Sequence, residues 1–310
     1  MRYLILILLL TVNLKVYGDQ ILPDGFKSLP ILIEIPDKDN PNDFHCGTGI
    51  YLVESNKLFL VTAAHVLFNF NSTNRMELIN SNATFTSFSP DPKEKQKFIL
   101  SVDLKGLQSW QCLLRHPSHD VAVIFLGYAP LADPKHPDIG FVNQYNKFIR
   151  LKSDYRMQFG EYAADEACIL STNILDGADT YLFGYPVDFS SQPLAAEIDV
   201  YSPMLRRGII SQKNTITSKL IIDSGVYGGN SGGPVLIVSH EGFTTRIQDG
   251  GIITEFVPFA TKLIPQIGVT NSDLVNSGYS VAEPIDYTIE LMNKLNLTTQ
   301  GSEYYINYTP

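Results

Sequence analysis

The sequence is poor in cysteine, in tryptophan and in charged residues, and it has fewer basic than acidic side chains. Among 310 residues there are 3 Cys and 1 Trp, and charged residues amount to 18%. Three cysteines allow at most one disulfide bond with one thiol left over, and the spacing of Cys46, Cys112 and Cys168 does not choose the pair. With 23 Lys and Arg against 32 Asp and Glu, the net charge is −9, which argues against a nucleic-acid partner that would favour a basic surface.

Long apolar runs are also missing, and the N-terminus comes nearest to having one. Residues 4–12 follow a basic residue and are apolar except for Thr11, but this run is too short to span a bilayer. Val16 and Gly18 fit the small-residue positions that precede a cleavage site. These features predict a signal peptide over residues 1–18 and a secreted or periplasmic protein. No later run is long and apolar enough to cross a membrane, so we expect no membrane anchor.

Short apolar runs separated by turn residues recur through the rest of the chain. The 22 Gly and 18 Pro suit many short strands joined by turns. We predict strands over residues 29–35, 47–53, 58–62, 83–88, 98–102, 110–114, 121–126, 180–185, 208–211, 219–223, 234–238 and 251–257. Only residues 283–295 have a helical pattern, with Pro284 in the first turn. The pattern predicts an all-β architecture with a C-terminal helix.

The most informative stretch is residues 227–235, which read YGGNSGGPV. Glycine has no Cβ, so the backbone around Ser231 can take tight turns and another backbone can come close. A serine placed in this way can present its Oγ on an open turn, with neighbouring N–H groups pointing the same way. Such N–H groups can hold the oxyanion of a tetrahedral intermediate. The alternative is a glycine-rich surface turn before a strand.

A histidine that could activate this serine lies at the end of residues 61–65, which read VTAAH. Here a predicted strand ends, and the small alanines let a turn pack tightly beneath the imidazole of His65, so that the ring faces a cleft. An ordinary packed histidine is the alternative interpretation. The remaining histidines, at positions 45, 116, 119, 136 and 240, lack metal-ligand spacing, and we expect neither a metal nor a cofactor.

An aspartate that could orient the histidine stands directly before the apolar run of residues 121–126. The chemistry needs a buried carboxylate that accepts a hydrogen bond from the histidine Nδ1–H, and Asp120 has this position. The alternative is a loop aspartate that caps a turn. Asp103, Asp133 and Asp138 are rivals, but none of them directly precedes such a strand.

With its three motifs in the order His65, Asp120, Ser231, the chain resembles the chymotrypsin-like (trypsin-fold) serine peptidases, in particular their bacterial or HtrA-type members with asparagine before the serine. This is neither the subtilisin nor the α/β-hydrolase order. An α/β-hydrolase, whose G-x-S-x-G the motif also satisfies, needs its histidine downstream, where only His240 lies close by.

The resemblance implies a fold of two six-stranded antiparallel β-barrels followed by a C-terminal helix. Residues 129–139, which contain three prolines, are the candidate connection between the two halves. We therefore expect a signal peptide at 1–18, an N-terminal barrel at 19–140, a C-terminal barrel at 141–282, and a helix and tail at 283–310.

The resemblance also implies a secreted serine endopeptidase that acts on protein or peptide substrates through an acyl-enzyme. In this interpretation His65 takes the proton of Ser231, Asp120 orients the imidazole, and the backbone N–H groups of Gly229 and Ser231 form the oxyanion hole. A catalytically silent trypsin-fold protein that binds peptides is the alternative. The intact residues argue against it, because a binding module needs none of them. The sequence leaves the oligomeric state open.

The family pattern is incomplete where the substrate side chain would bind. Six residues before the serine stands Gly225, where a trypsin-like enzyme has an acid that binds Arg or Lys. Residues 251–254 resemble the strand that pairs with an extended substrate, which places Thr254 and Glu255 at the cleft. We therefore expect a preference for a small or apolar substrate residue. Val66 replaces the cysteine that follows the histidine in secreted trypsins, so the matching bridge to Cys46 is not expected.

Overall fold

The computed structural model describes residues 26, 28–38, 40, 43–54, 57–70, 76–88, 97–128, 144–152, 163–164, 168–185, 202–241, 244–260, 274–298 and 305–307. The predicted signal peptide, the predicted connection at 129–139 and the boundary expected after residue 140 lie outside these residues. Asp133 and Asp138, two rivals for the orienting aspartate, lie outside them as well.

The first half of the chain forms one large curled sheet. Its strands are β1 (Pro30–Pro36), β2 (Phe44–Glu54), β3 (Lys57–Thr62), β6 (Asn82–Phe88), β7 (Lys97–Asp103), β8 (Leu113–Arg115), β9 (Ala122–Tyr128), β10 (Gln144–Asn146), β11 (Ile149–Leu151) and β12 (Ala163–Ala164). A separate hairpin joins β4 (Phe68–Phe70) to β5 (Met76–Leu78), and two short helices, α1 (Ala64–Leu67) and α2 (Leu104–Ser109), interrupt the strands. The main path runs β11-β7-β6-β1-β2-β3-β9-β10, so β10 to β12, which follow residue 140, pair with this sheet.

The second half closes into a barrel. Its six strands are β13 (Asp179–Gly184), β14 (Met204–Asn214), β15 (Lys219–Asp223), β16 (Pro234–Glu241), β17 (Thr244–Ala260) and β18 (Leu274–Pro284). They are joined in the order β13-β14-β15-β18-β17-β16, and every neighbouring pair is antiparallel. Helix α3 (Ile285–Thr298) follows directly, and β19 (Tyr305–Asn307) pairs with β10 at the edge of the first sheet.

The C-terminal helix packs against the first half of the chain, although it follows the second half in sequence. Its buried residues Leu291, Met292 and Leu295 belong to the same core as Phe59 and Phe125 of the first sheet. Each such side chain contributes about 2 kcal/mol when it leaves water, which is enough to fix the position of the helix. The end of β18 is thereby brought next to the segment that precedes β9.

The all-β prediction with a C-terminal helix is confirmed, and several details differ. The helix begins at Ile285, because residues 283 and 284 still belong to β18, a strand that the sequence pattern did not indicate. Residues 110–114 are mostly a turn, and only Leu113–Arg115 forms a strand. The unpredicted helix α2 precedes this turn, and the Asp103 carboxylate caps it by accepting the Gly106 N–H at 2.8 Å. Asp103 therefore has a structural role.

Two further sequence-based expectations concern disulfide bonds and membrane spans. All three cysteines lie in the described part of the chain, and none of them forms a disulfide bond. Val66 packs against β2, where a Cβ added at Gly47 would meet Val66 Cγ1 at 2.5 Å. Among the described helices, none has both the length and the apolar character needed to cross a membrane.

Asp249, on β17, is a buried acid that sequence reasoning did not single out. It is 2% exposed; its Oδ1 accepts the Gly251 N–H at 3.2 Å, and its Oδ2 has no hydrogen-bond partner among the described residues. Burial raises the pKa of the Asp249 carboxyl to about 8, and hydrogen bonds from the backbone N–H groups of Gly251 and Val235 oppose this effect. The native protein therefore holds a proton here that the unfolded chain loses at a much lower pH.

We expect Asp249→Asn to stabilise the protein at about pH 8 and to have a smaller effect at about pH 5. Each pH unit over which only the native state keeps the proton costs the wild type about 1.4 kcal/mol of stability, and this loss grows as the pH rises towards 8. An asparagine stays neutral throughout. Thermal unfolding followed by circular dichroism at both pH values measures the difference, with the exposed Asp223→Asn as a matched control. A gain of equal size at both pH values would contradict the prediction.

Candidate active site

His65 lies where β3 ends and the chain turns into α1. Ala63 and Ala64 are fully buried beneath the turn, so their small side chains let it pack closely on the sheet. The His65 backbone N–H donates to Asp120 Oδ1 at 2.9 Å, and the ring Nδ1 lies 2.6 Å from Asp120 Oδ2. One carboxylate therefore fixes both the backbone and the imidazole of the histidine.

Asp120 lies in the bend that leads into β9, as the sequence predicted. Its carbonyl oxygen accepts the Ala64 N–H at 3.2 Å, which ties the bend to the histidine turn. Burial alone would raise the pKa of the Asp120 carboxyl, but the hydrogen bonds and the charge of His65, with a smaller effect of Lys219, lower it below its usual value. The carboxylate is therefore ionised at neutral pH and can stabilise a positive imidazolium.

Ser231 lies on the glycine-rich turn before β16. The turn is tight: the Asn230 N–H donates to the Tyr227 carbonyl at 3.0 Å, and the Gly233 N–H donates to the Asn230 carbonyl at 3.0 Å. Gly229 and Gly232 have φ values of +92° and +89°, which explains why glycine stands on both sides of the serine. The Ser231 hydroxyl donates to the Thr254 carbonyl on β17 at 3.1 Å.

The turn is held from the first half of the chain by Thr48 of β2. The Thr48 hydroxyl donates to the Gly229 carbonyl at 2.7 Å, and the Thr48 N–H donates to the Ser231 carbonyl at 2.7 Å. Within the part of the chain that the structure describes, the N–H groups of Gly229 and Ser231 donate no hydrogen bond. The carbonyls are thus turned towards β2, and these two N–H groups remain available to an incoming oxygen atom.

The predicted side chains meet in one cleft of about 360 Å³. It is lined by His65, Asp120, Val226, Tyr227, Gly228, Ser231, Thr254, Glu255 and Phe256. The sequence therefore identified five of the residues that meet in this cleft, three from the polar motifs and two from the strand expected to bind substrate. In the described residues no group of three or more His, Cys, Asp and Glu side chains is arranged to hold a metal ion.

The sequence placed Gly225 where a substrate side chain would bind, but the structure does not place it at the cleft. Gly225 does not line the cleft, and its carbonyl accepts a hydrogen bond from Arg206 Nη1 at 2.8 Å. The Arg206 guanidinium also lies over the Tyr227 ring, 4.2 Å from its centroid. Glu255 is present at the cleft but is paired with Lys219, whose Nζ lies 3.2 Å from Glu255 Oε1.

Sequence reasoning missed three residues of the site's surroundings: Thr48, Arg206 and Glu283. Thr48 stands in the stretch of residues 44–49, which resembles the family's strand before the histidine, but nothing in that stretch marks its hydroxyl as a partner of the serine turn. Arg206 and Glu283 belong to no local motif: Arg206 binds Gly225, 19 residues away, and Glu283 binds Asp120, 163 residues away.

The fold and the cleft together define a class of protein, an all-β hydrolase in which serine, histidine and aspartate meet between a curled sheet and a closed barrel. Residues 47–242 match the profile of the trypsin-like peptidase domain, and this match covers more than half of the chain. The chain belongs to that family and is a trypsin-like serine peptidase.

Several solved structures are similar to this chain at low sequence identity. The thermostable serine protease AL20 from an extremophilic microorganism is 13% identical with a TM-score of 0.49, over 89% of this chain and 100% of that one. The protease Anisep from Arthrobacter nicotinovorans is 13% identical with a TM-score of 0.47, over 86% and 95%. The Rv3671c protease from M. tuberculosis, in its active form, is 12% identical with a TM-score of 0.44, over 87% and 81%. No curated protein sequence is significantly similar to this chain.

Proposed function

We propose that the protein is a secreted serine endopeptidase in which Ser231 is the nucleophile, His65 the general base and Asp120 the orienting carboxylate. The observation that carries the proposal is the 2.6 Å contact between His65 Nδ1 and Asp120 Oδ2, in the same cleft as the Ser231 hydroxyl. With Nδ1 bound to the carboxylate, Nε2 is the ring nitrogen that can accept a proton. The predicted signal peptide supports secretion, and the asparagine before the serine supports the HtrA-type subgroup.

The reaction begins when the Ser231 hydroxyl turns from the Thr254 carbonyl to the imidazole. Rotation about its Cα–Cβ bond redirects the proton to His65 Nε2 as Oγ attacks the carbonyl carbon of the scissile bond. The Oγ–C bond forms, and the carbonyl electron pair moves to oxygen. The imidazolium then gives its proton to the leaving amine as the C–N bond breaks. Water repeats the two steps on the acyl-enzyme and restores the hydroxyl.

The negative oxygen of the intermediate would be held by the backbone N–H groups of Gly229 and Ser231. Their lack of a partner among the described residues supports this role, as does the way Thr48 holds the two adjoining carbonyls. Donors that are already oriented stabilise the developing charge without having to reorganise during the reaction.

The walls of the cleft favour a small or apolar side chain in the substrate. Val226, Tyr227 and Phe256 supply apolar surface to the cleft. Two acids line the cleft, and both are paired: Asp120 with His65, and Glu255 with Lys219. An extended substrate would pair with β17 beside Thr254. Main-chain hydrogen bonds would then provide affinity, and the cleft would select among substrate side chains.

A fluorophosphonate probe tests the proposal directly, because it reacts with a serine only where a base and an oxyanion hole are assembled around it. The protein is incubated with the probe, digested, and analysed by mass spectrometry, with casein digestion measured in parallel. We expect one adduct, on Ser231, together with cleavage of casein.

Two internal controls make the labelling result decisive. Ser224, seven residues before Ser231, should carry no adduct in the same sample, and protein unfolded in denaturant should carry none at Ser231. Folded protein without an adduct on Ser231 would overturn the proposal and would favour the catalytically silent, peptide-binding alternative.

A further inference from the structure

A buried carboxylate next to Asp120 has no part in the mechanism just described. Glu283, near the end of β18, is 1% exposed. Its Oε1 accepts the backbone N–H of Asp120 at 3.3 Å, and its Oε2 lies 2.9 Å from His119 Nδ1. Lys219 Nζ lies 3.6 Å from the same Oε1. The carboxylate thus contacts the backbone of the residue whose side chain holds His65.

The three partners of Glu283 explain how a carboxylate can be buried inside the protein. A carboxylate removed from water is strongly unfavourable unless hydrogen bonds and an opposite charge compensate for it. The Asp120 N–H and the His119 ring supply that compensation from one bend of the chain, and the Lys219 ammonium supplies it from β15. An apolar side chain at this position would fill the space but could not hold the Asp120 N–H.

The bend that carries Asp120 makes a second contact, with the C-terminal helix. The His119 ring stacks on Tyr287 of α3, with ring centroids 3.4 Å apart and an interplanar angle of 14°. Within the bend, His116 Nδ1 accepts the N–H groups of Ser118 and His119 at 3.2 and 3.0 Å. The bend is therefore held by its own hydrogen bonds and is attached to the last strand of the barrel and to the helix that follows it.

We propose that Glu283 is a positioning residue for Asp120: it fixes the backbone of the bend, and thereby the direction of the Asp120 carboxylate towards His65. Glu283 does not line the cleft and touches no reacting atom. Its catalytic effect rests on the proposed function, but its structural effect on the contact between His65 and Asp120 can be measured separately.

The test compares Glu283→Ala and Glu283→Gln with the wild type. Alanine removes the acceptor of the Asp120 N–H, and a small displacement of a catalytic group can reduce the rate by about 100-fold, so we expect kcat to fall about 10- to 100-fold with little change in KM. The glutamine oxygen can still accept from Asp120, but the charge opposite Lys219 is lost. We therefore expect Glu283→Gln to lie between the wild type and Glu283→Ala.

A proton NMR signal separates this inference from the proposed function. A proton between His65 Nδ1 and Asp120 Oδ2, which are 2.6 Å apart, resonates far downfield, and Asp120→Asn identifies the signal by abolishing it. We expect Glu283→Ala to shift or broaden this signal, and this result does not require any substrate to be cleaved. A wild type that shows the signal but cleaves nothing would contradict the proposed function, and the signal of the Glu283 variants would still decide the present inference.

Two controls exclude a merely structural effect. Leu295→Ala creates a cavity under α3 away from Asp120, so it should lower Tm while leaving kcat and the downfield signal unchanged below Tm. Glu77→Ala, at an exposed glutamate on β5, should change nothing. Glu283 variants with unchanged kcat and an unchanged signal would overturn the inference. Should Glu283→Ala fail to fold, Glu283→Met takes its place, because it fills the space without accepting the Asp120 N–H, and an unchanged kcat and signal in that variant would overturn the inference equally.

Discussion

Peptide hydrolysis by the Ser231→Ala variant is expected to fall about 10⁶-fold in kcat, because the proposed acyl-enzyme route is lost when its proposed nucleophile is removed. The residual rate would come from binding and from the proposed oxyanion hole, which the substitution leaves in place. Among the described residues, the Ser231 hydroxyl makes one hydrogen bond, to the Thr254 carbonyl, so the fold should tolerate its loss with a small change in Tm. Initial rates on casein or on a peptide library, measured beside thermal unfolding, check both parts.

A matched control for this variant is Ser211→Ala, which removes a hydroxyl from the exposed face of β14 in the same barrel. It should retain the wild-type rate and Tm. A Ser231→Ala variant that stays within tenfold of the wild-type rate would show that the hydrolysis uses another nucleophile or comes from a contaminant.

The second large effect is expected from Gly232→Ala, which should abolish activity and destabilise the protein. Gly232 has a φ of +89°, and a Cβ added there would overlap the Thr48 carbonyl oxygen and the Thr62 hydroxyl. The positive φ alone costs about 1–2 kcal/mol. The overlap adds to this cost, because neither backbone atoms nor a buried threonine can move away cheaply. The serine turn must therefore shift, and with it the N–H group of Ser231.

Gly177→Ala separates the two causes. Gly177 has a φ of +83° but nothing within 4 Å of an added Cβ, so this variant carries the backbone strain without the overlap. Denaturant unfolding should show a loss of about 1–2 kcal/mol for Gly177→Ala and a clearly larger one for Gly232→Ala. Gly177→Ala should keep full activity. Equal losses in the two variants would mean that the serine turn accommodates a side chain, contrary to the geometry.

The two predictions share a structural basis, because each half of the chain holds a loop of the other. Thr48 of the first sheet binds both carbonyls of the serine turn in the second half. Glu283, from the last strand of the barrel, binds the backbone of the aspartate bend in the first half. Loops that are fixed in this reciprocal way cannot move independently, which is the rigidity that positioning of reacting groups requires.

The sequence predicted the elements whose signals are local. The predicted bounds of the strands at 58–62 and 219–223 agree closely with the observed ones, because apolar side chains recur there over a short run bounded by turn residues. The hairpin of β4 and β5 and the whole of β18 were missed, because their residues are too mixed in polarity to give a period. Helix α3 was predicted in the correct C-terminal region of the chain, but its start was predicted two residues too early.

By itself the sequence determined the class of the protein and the residues expected to do its chemistry. A serine between positive-φ glycines, a histidine over small alanines and an aspartate before a buried strand each satisfy a requirement that acts over a few neighbouring residues. Only the tertiary structure decided what holds these groups in place. Thr48 and Gly229 are 181 residues apart, and Glu283 and Asp120 are 163 apart. Such contacts arise from the packing of one half on the other, and no local period or motif in the chain encodes them.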